Sequence, residues 1–248
     1  MLALDGELFR LFLAKTLDFT NSLMLKPYQV FIGCPFAREV RSSYDRLKKE
    51  IEAESPLSLV LADTVGISSS NYLLDSITTL IRESASCIFD ATGGNANVSL
   101  EVGIAHTVPV DYVLTMRTRK PSAKTQAREA GTPGAREVRS IISDLQGKNR
   151  IEYKEYGALG KQLDHRYFSH LPFMKRWLAF AKQNKGMVPY ALLLFEDLRS
   201  SSRSQTSRLA AHVEGTGFSA SQVLAALKAQ KLVVVKAGRT GGIFYPPK

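Results

Sequence analysis

The segment Cys87–His106, CIFDATGGNANVSLEVGIAH, decides how the chain is read. Its first half is a short apolar run rich in β-formers that ends on Asp90, the pattern of a buried strand. Gly93 and Gly94 follow, with Asn95 and Asn97 as candidate helix N-caps, so the chain turns tightly and enters a helix from Val98 to His106. A strand, a glycine turn and a helix in that order form half of a βαβ unit, with backbone N–H groups of the turn aimed at whatever lies beyond the strand end. Within the helix Asn97, Glu101 and Ala105 are four apart and share a stripe. Val98, Leu100, Val102 and Ile104 are expected to supply the packing around it, and Gly103 to let a neighbour approach.

The same alternation extends outward on both sides. Tyr28–Gly33, Leu57–Asp63, Ser86–Ala91, Val110–Met116 and Arg150–Tyr153 read as strands, and Arg38–Ala53, Ser70–Glu83, Val98–His106 and Arg136–Leu145 as helices between them. Strands that are apolar almost throughout belong to a parallel sheet covered on both faces, so the expected fold is α/β and flavodoxin-like. In such sheets ligands sit beyond the carboxyl ends of the strands. Gly33–Arg38, Asp63–Ser69 and Asp90–Asn97 are therefore expected to converge on one crevice. The stretch 117–136, with its basic residues, prolines and glycines, breaks the rhythm and reads as a mobile surface loop, either a solvated insertion or a lid over an anionic ligand.

Composition bounds the function. Of 248 residues 44% are hydrophobic and 23% charged, enough for a large core or two smaller ones. Cys34 and Cys87 stand far apart in no ligand spacing, which argues against a disulfide framework and a structural zinc, and points to a reduced, cytoplasmic setting. Residues 1–25 are apolar but interrupted by Asp5, Glu7, Arg10, Lys15 and Asp18, and read as an amphipathic helix rather than a signal peptide. No apolar run approaches the roughly 18–20 residues that span a bilayer, so no membrane partner is expected. The net charge of +10 is uneven: from His165 onward there are 13 Lys and Arg against 3 Asp and Glu, whereas the preceding residues balance. A split of this kind points to two functional parts, one facing a polyanion or an acidic partner.

Two readings of Glu101 remain at this point. A carboxylate so near a strand terminus can act as nucleophile, or stabilise an oxocarbenium ion, in breaking a ribosyl bond. An acid early in a helix also interacts well with the helix dipole and needs no further role. His106, five residues on, points elsewhere and reads as packing or capping. His165 and His170 have no ligand spacing for a metal, Cys34 reads as a buried thiol, and Arg38 is equally a phosphate ligand or plain helix surface.

The motifs VFIGCPF, FDATGGNANVSLEVGIAH and ISDLQGKNRIEYKEYGALGKQL resemble the TIR-like and nucleoside 2-deoxyribosyltransferase-like nucleotide-binding domains over roughly Lys26–Asp164. The resemblance implies that Glu101 is the catalytic glutamate, with Asp90 as a second catalytic or sugar-side position. It further matches Asn97 to a sugar-side or turn-forming position and Gly33, Pro35 and Phe36 to the first loop; with Arg38, Asp63, Gly93 and Asn95, which the residue reading places in the crevice, these make up the expected substrate site. It implies no bound cofactor, NAD or a nucleotide being substrate, and it allows a homo-oligomer. The chain departs from deoxyribosyltransferases proper near the first two loops, where Arg38 and Asp63 stand and no tyrosine is evident, which puts transfer between free nucleosides in doubt.

From Tyr167 the pattern changes to four helices and a glycine-tipped hairpin, VVVKAGRTGGIFYP, the order of a winged helix-turn-helix. Ser219 and Gln222 form a capping-box pattern at the start of the last helix. The expected division is thus 1–25 as an N-terminal helix, 26–165 as the α/β domain and 166–248 as a basic winged helix. Arg203, Arg208, Ser221, Lys228, Lys231, Lys236 and Arg239 are the candidate nucleic-acid contacts; a winged helix serving protein association is the other reading. An α/β domain of this type followed by a winged helix resembles effectors of certain bacterial retrons, which implies a reverse transcriptase–DNA complex as partner and an antiviral, pool-degrading activity. The alternatives are a non-enzymatic nucleotide-sensing DNA-binding regulator and a structural adaptor.

Overall fold

The computed structural model describes residues 25–62, 70–118, 150–238 and 241–247. The expected amphipathic helix before residue 25, Asp63, nearly all of the 117–136 loop, the helix expected at 136–145 and Arg239 lie outside the described residues.

Five strands, β1 (Lys26–Gly33), β2 (Ser58–Leu61), β3 (Ser84–Asp90), β4 (Asp111–Arg117) and β5 (Arg150–Tyr153), form one sheet in the order β2-β1-β3-β4-β5. All four pairings are parallel. This is the flavodoxin-like order, in which the order of the strands reverses between β1 and β3. Helices α1 (Arg38–Glu54), α2 (Ser70–Glu83), α3 (Ala96–Thr107) and α4 (Tyr156–Arg166) lie among the strands in sequence. The last of these was not foreseen.

Side-chain alternation along the strands divides the core. Val30, Ile32, Ile88, Val113, Ile151 and Tyr153 face Tyr44, Leu47 and Ile51 of α1 and Leu159 and Leu163 of α4. Phe31, Cys87, Phe89 and Leu114 face Ile77 and Ile81 of α2 and Val98, Val102 and Ala105 of α3. Parity therefore decides which face each strand-end residue serves.

The chain continues through α5 (Pro172–Gln183), α6 (Val188–Ser201), α7 (Thr206–Val213), α8 (Ala220–Ala229) and the antiparallel pair β6 (Val234–Lys236) and β7 (Gly242–Phe244). Prolines in the first turns of α5 and α6 suit positions whose N–H has no helical partner. The capping box at Ser219 is formed: Gln222 N–H donates to the serine hydroxyl at 3.3 Å, and Ser219 N–H donates to Gln222 Oε1 at 2.8 Å. A bridge between Ser204 and Ile243 adds a third extended element to the hairpin. Three helices, α6 to α8, are thus followed by a two-stranded hairpin.

This helical part is not tethered loosely. Phe173, Trp177, Phe195, Leu209, Leu227 and Ile243 belong to the same buried cluster as Val30, Ile32 and Leu59 of the sheet. Tyr245 stacks on Tyr28 at 3.6 Å between ring centroids and donates a hydrogen bond to Pro56 O at 3.0 Å. Arg199 of α6 donates to the carbonyls of Glu52, Ser55 and Leu57 at 2.8, 3.3 and 3.2 Å, closing the carboxyl end of α1. No helix among the described residues is long and apolar enough to cross a membrane.

Candidate active site

Strand β1 ends at Gly33, which pairs in register with Phe89 of β3, one residue before Asp90. By parity Gly33 presents its missing side chain to the α2/α3 face, below which Phe31 lies. Into that gap comes Glu101 from the second turn of α3. A Cβ built on Gly33 would run into Glu101 Oε2 and stand 2.6 Å from Phe89 Cδ1. The glycine is thus the space that the carboxyl group occupies, at the point where the strand order reverses.

The position of α3 follows from its entry turn. Gly93 and Gly94 take φ of +76° and +65°, conformations that L side chains rarely adopt. Asn95 then caps the helix, its Oδ1 accepting from Asn97 N at 3.0 Å and Val98 N at 3.3 Å. The cap is therefore Asn95, with Asn97 exposed in the first turn above the strand ends. Val98, Glu101, Val102 and Ala105 form the buried face. Two packing expectations are corrected here. Leu100 is 54% exposed, because it lies off the face shared by residues 98, 101, 102 and 105. Gly103 is exposed with open space around it, so no neighbour approaches there.

Glu101 is 4% exposed, and its Oε2 has no hydrogen-bond partner among the described residues. Burial pushes its carboxyl up to about 8. The neighbouring Cys87 thiol is also raised, mainly by burial and further by the charge of Glu101. A buried acid with an idle oxygen and a raised proton affinity is costly to a merely structural helix.

Asp90 is placed differently. It points by parity to the α1/α4 face, where Tyr153 O–H donates to its Oδ2 at 3.1 Å and Thr92 N–H to its Oδ1 at 2.9 Å. Both oxygens are engaged, on the face opposite Glu101, so the structure does not bring the two carboxyl groups into one acid–nucleophile pair. A second chain of hydrogen bonds runs beside it: Tyr44 O–H donates to Thr115 Oγ1 at 3.1 Å, and that hydroxyl to Phe89 O at 3.3 Å. Burial raises the phenols of Tyr44 and Tyr153, and the Asp90 charge adds to it, which keeps both as donors.

Of the remaining expected residues, Pro35 is half-buried and Phe36 and Arg38 are exposed at the start of α1 on the same rim as Gly93, Asn95 and Asn97. Sequence reasoning missed Tyr156 and Arg117. Tyr156, half-buried at the start of α4, packs on Tyr44 and Tyr153, with centroids 5.5 and 5.3 Å away. Arg117, at the end of β4, lies over the Tyr156 ring at 5.2 Å and donates from Nε to Lys154 O at 3.1 Å. Both tyrosines, Tyr153 and Tyr156, come from β5 and α4, in RIEYKEYG, some fifty residues after the Glu101 segment, and pack on the α1/α4 face of the sheet. His106 is exposed, its Nδ1 3.4 Å from Tyr112 Oη. No group of three His, Cys, Asp or Glu able to hold a metal ion occurs among the described residues.

No protein-family model and no curated protein matches the chain. Among solved structures, the chain is similar to a 2-desoxiribosyltransferase from Leishmania mexicana, with 11% identity and a TM-score of 0.41 over 56% of this chain and 99% of that one.

Proposed function

We propose that the protein breaks the bond between a ribosyl C1′ and a ring nitrogen, with Glu101 as the group that meets C1′. The observation that carries this reading is the Glu101 carboxyl seated in the gap left by Gly33, with one oxygen unclaimed, at the reversal point of a flavodoxin-like sheet. Asp90 acts as a positioning residue that fixes the β3–α3 turn. Gly33, Gly93, Asn95 and Asn97 form the floor and rim, with Pro35 and Phe36 in the loop before α1 and Arg38 as its first residue; Asp63 stays a candidate on the sequence alone.

NAD is the favoured substrate, with a nucleotide or deoxynucleotide next. A neutral base needs a proton to leave, and the acid expected to supply it, Asp90, faces away from Glu101 with both oxygens held. A pyridinium needs none. Glu101, which gives up its proton to solvent as the cationic pyridinium enters beside it, bonds to C1′ as the carboxylate while the C1′–N bond breaks, and the bonding pair neutralises the departing nicotinamide. Water then opens the glycosyl ester, adding its oxygen to C1′, returning the carboxylate and releasing a proton.

The basic C-terminal part binds nucleic acid or a nucleoprotein and so controls the site, in the manner of a conditional effector of bacterial antiviral defence acting in the cytoplasm. Its candidate contacts Arg203, Arg208, Ser221, Lys228, Lys231 and Lys236 are all exposed. A regulator that senses a nucleotide without cleaving it is the second reading, favoured by the core that α5–α8 share with the sheet. Incubation of the protein with NAD and with nucleotides, followed by chromatography for nicotinamide or free base, separates the two. Product supports the enzyme; intact nucleotide together with altered duplex affinity supports the regulator.

A further inference from the structure

Between the carboxyl end of α6 and the start of α7 lies a notch of about 430 Å³ lined by Ser201, Arg203, Ser204, Gln205, Ser207 and Arg208. Its lining is hydroxyl, amide and guanidinium groups, with no carboxylate and no large apolar side chain. The two arginines are not equivalent. Arg208 is 3.2 Å from Asp197 Oδ1, and Asp197, one of only three acids after His165, also lies 3.2 Å from both Ser204 Oγ and His212 Nε2. Asp197 thus offsets the charge of Arg208 and ties it to α6. Arg203 makes no ion pair among the described residues and is exposed.

Arg203 is nevertheless seated. Its aliphatic stem lies against Gly242 of β7, where an added Cβ would stand 3.0 Å from its Cγ and 3.2 Å from its Cδ, and 2.8 Å from Ser204 O. Gly242, at φ +153°, is the cradle that turns the guanidinium toward the notch. Across the hairpin Gly242 pairs with Lys236, whose ammonium lies 5.3 Å from the Phe244 ring. Arg208 and Arg203 line the notch with the Ser207 hydroxyl beside them, and Lys236 stands opposite Gly242 at the last pair before the hairpin turn, so cations are spaced from α7 to the hairpin. A single small anion needs one such group, whereas a row of spaced cations with adjacent hydroxyl donors matches successive phosphates of a polyanion.

We propose that this notch is a backbone-phosphate site for duplex nucleic acid, with Arg203 as the direct phosphate ligand, Arg208 as a positioning residue held by Asp197, and Lys236 as the next phosphate contact. The inference rests on the reading of the C-terminal part as nucleic-acid binding and selects, among its exposed cations, those that meet the backbone. Titration of the full chain with a labelled DNA duplex of about two helical turns, over a series of salt concentrations, tests it. Arg203→Ala should lower the slope of log K against log salt by about one and weaken binding about tenfold near 100 mM salt. Arg203→Lys, which keeps the charge, should retain the slope, and Arg208→Ala should change it by less than Arg203→Ala.

Normal duplex binding by Arg203→Ala with an unchanged slope overturns the assignment and leaves nucleic-acid binding by other residues standing. Failure of the unaltered protein to bind any duplex at low salt overturns both. A third arm uses inorganic phosphate alone. Thermal stabilisation of the unaltered protein by millimolar phosphate that is lost in Arg203→Ala, with duplex binding unaffected, would mark a site for free phosphate and also overturn the proposal.

Discussion

At the scale of the residue, the site depends on one carboxyl group and its proton. Glu101 has a folded-state affinity near 8, raised by burial above the ordinary carboxylate value. Between those limits the folded chain holds a proton that the unfolded chain has released, so ionising Glu101 costs stability as pH rises and the loss is complete above about 8. Glu101→Gln removes that cost. The variant is expected to melt higher than the parent, with a margin that grows from pH 5 to pH 8 and reaches a few kcal/mol at most. Melting curves at three pH values check this, and a margin that is constant or shrinks contradicts a buried, unpaired carboxyl. The sequence puts Glu101 on a stripe with Asn97 and Ala105, and the structure buries it with Val98, Val102 and Ala105 while Asn97 is exposed. The raised proton affinity was not legible, since it depends on Phe89, Cys87 and Gly33, which come from other strands.

At the scale of the element, β1 and α3 are fitted to each other through Gly33. The strand could have ended in any small residue had only the turn mattered, for Gly33 needs no positive φ. What excludes a side chain is the carboxyl group from α3 together with the Phe89 ring. Gly33→Ala is therefore expected to push Glu101 out of line by an ångström or so and lower turnover about a hundredfold. It should destabilise the fold by about 1–3 kcal/mol through overpacking. Turnover with far-UV dichroism as a control for folding measures both, and a fully active Gly33→Ala would sink the packing argument. Among the described residues, the expected strands and helices were placed to within a few residues, because apolar runs and 3.6-residue spacing report burial directly. Helix α4 was missed since YGALGKQLDHR carries two glycines and few apolar residues, and its helicity is settled by Leu159 and Leu163 packing on the sheet. Leu100 and Gly103 were misplaced because hydrophobicity alone does not choose among the faces of a helix that is apolar nearly all round.

At the scale of the whole molecule, the change of character near Tyr167 is a change of element type with no break in the buried core. Arg199 is the clearest joint. Its guanidinium supplies donors to three carbonyls at the end of α1 and approaches Glu52 Oε2 at 4.0 Å. Arg199→Ala leaves those acceptors under-satisfied and should cost about 3 kcal/mol. The altered and unaltered chains are both expected to unfold in urea in one cooperative transition, because helices and sheet share their apolar contacts. Two separated transitions in the unaltered chain would contradict the shared core. The basic charge of this part was visible as a count, but only the coordinates sort Arg208, held by Asp197, from Arg203, seated on Gly242.

The central claim is that Glu101 carries the cleavage of a ribosyl bond, and the most direct test is the rate of nicotinamide or base release by the unaltered protein and by Glu101→Gln, each shown to be folded. Cleavage by the unaltered protein, with a loss of at least about a thousandfold in the variant, is the predicted result. Equal rates in the two proteins would contradict it.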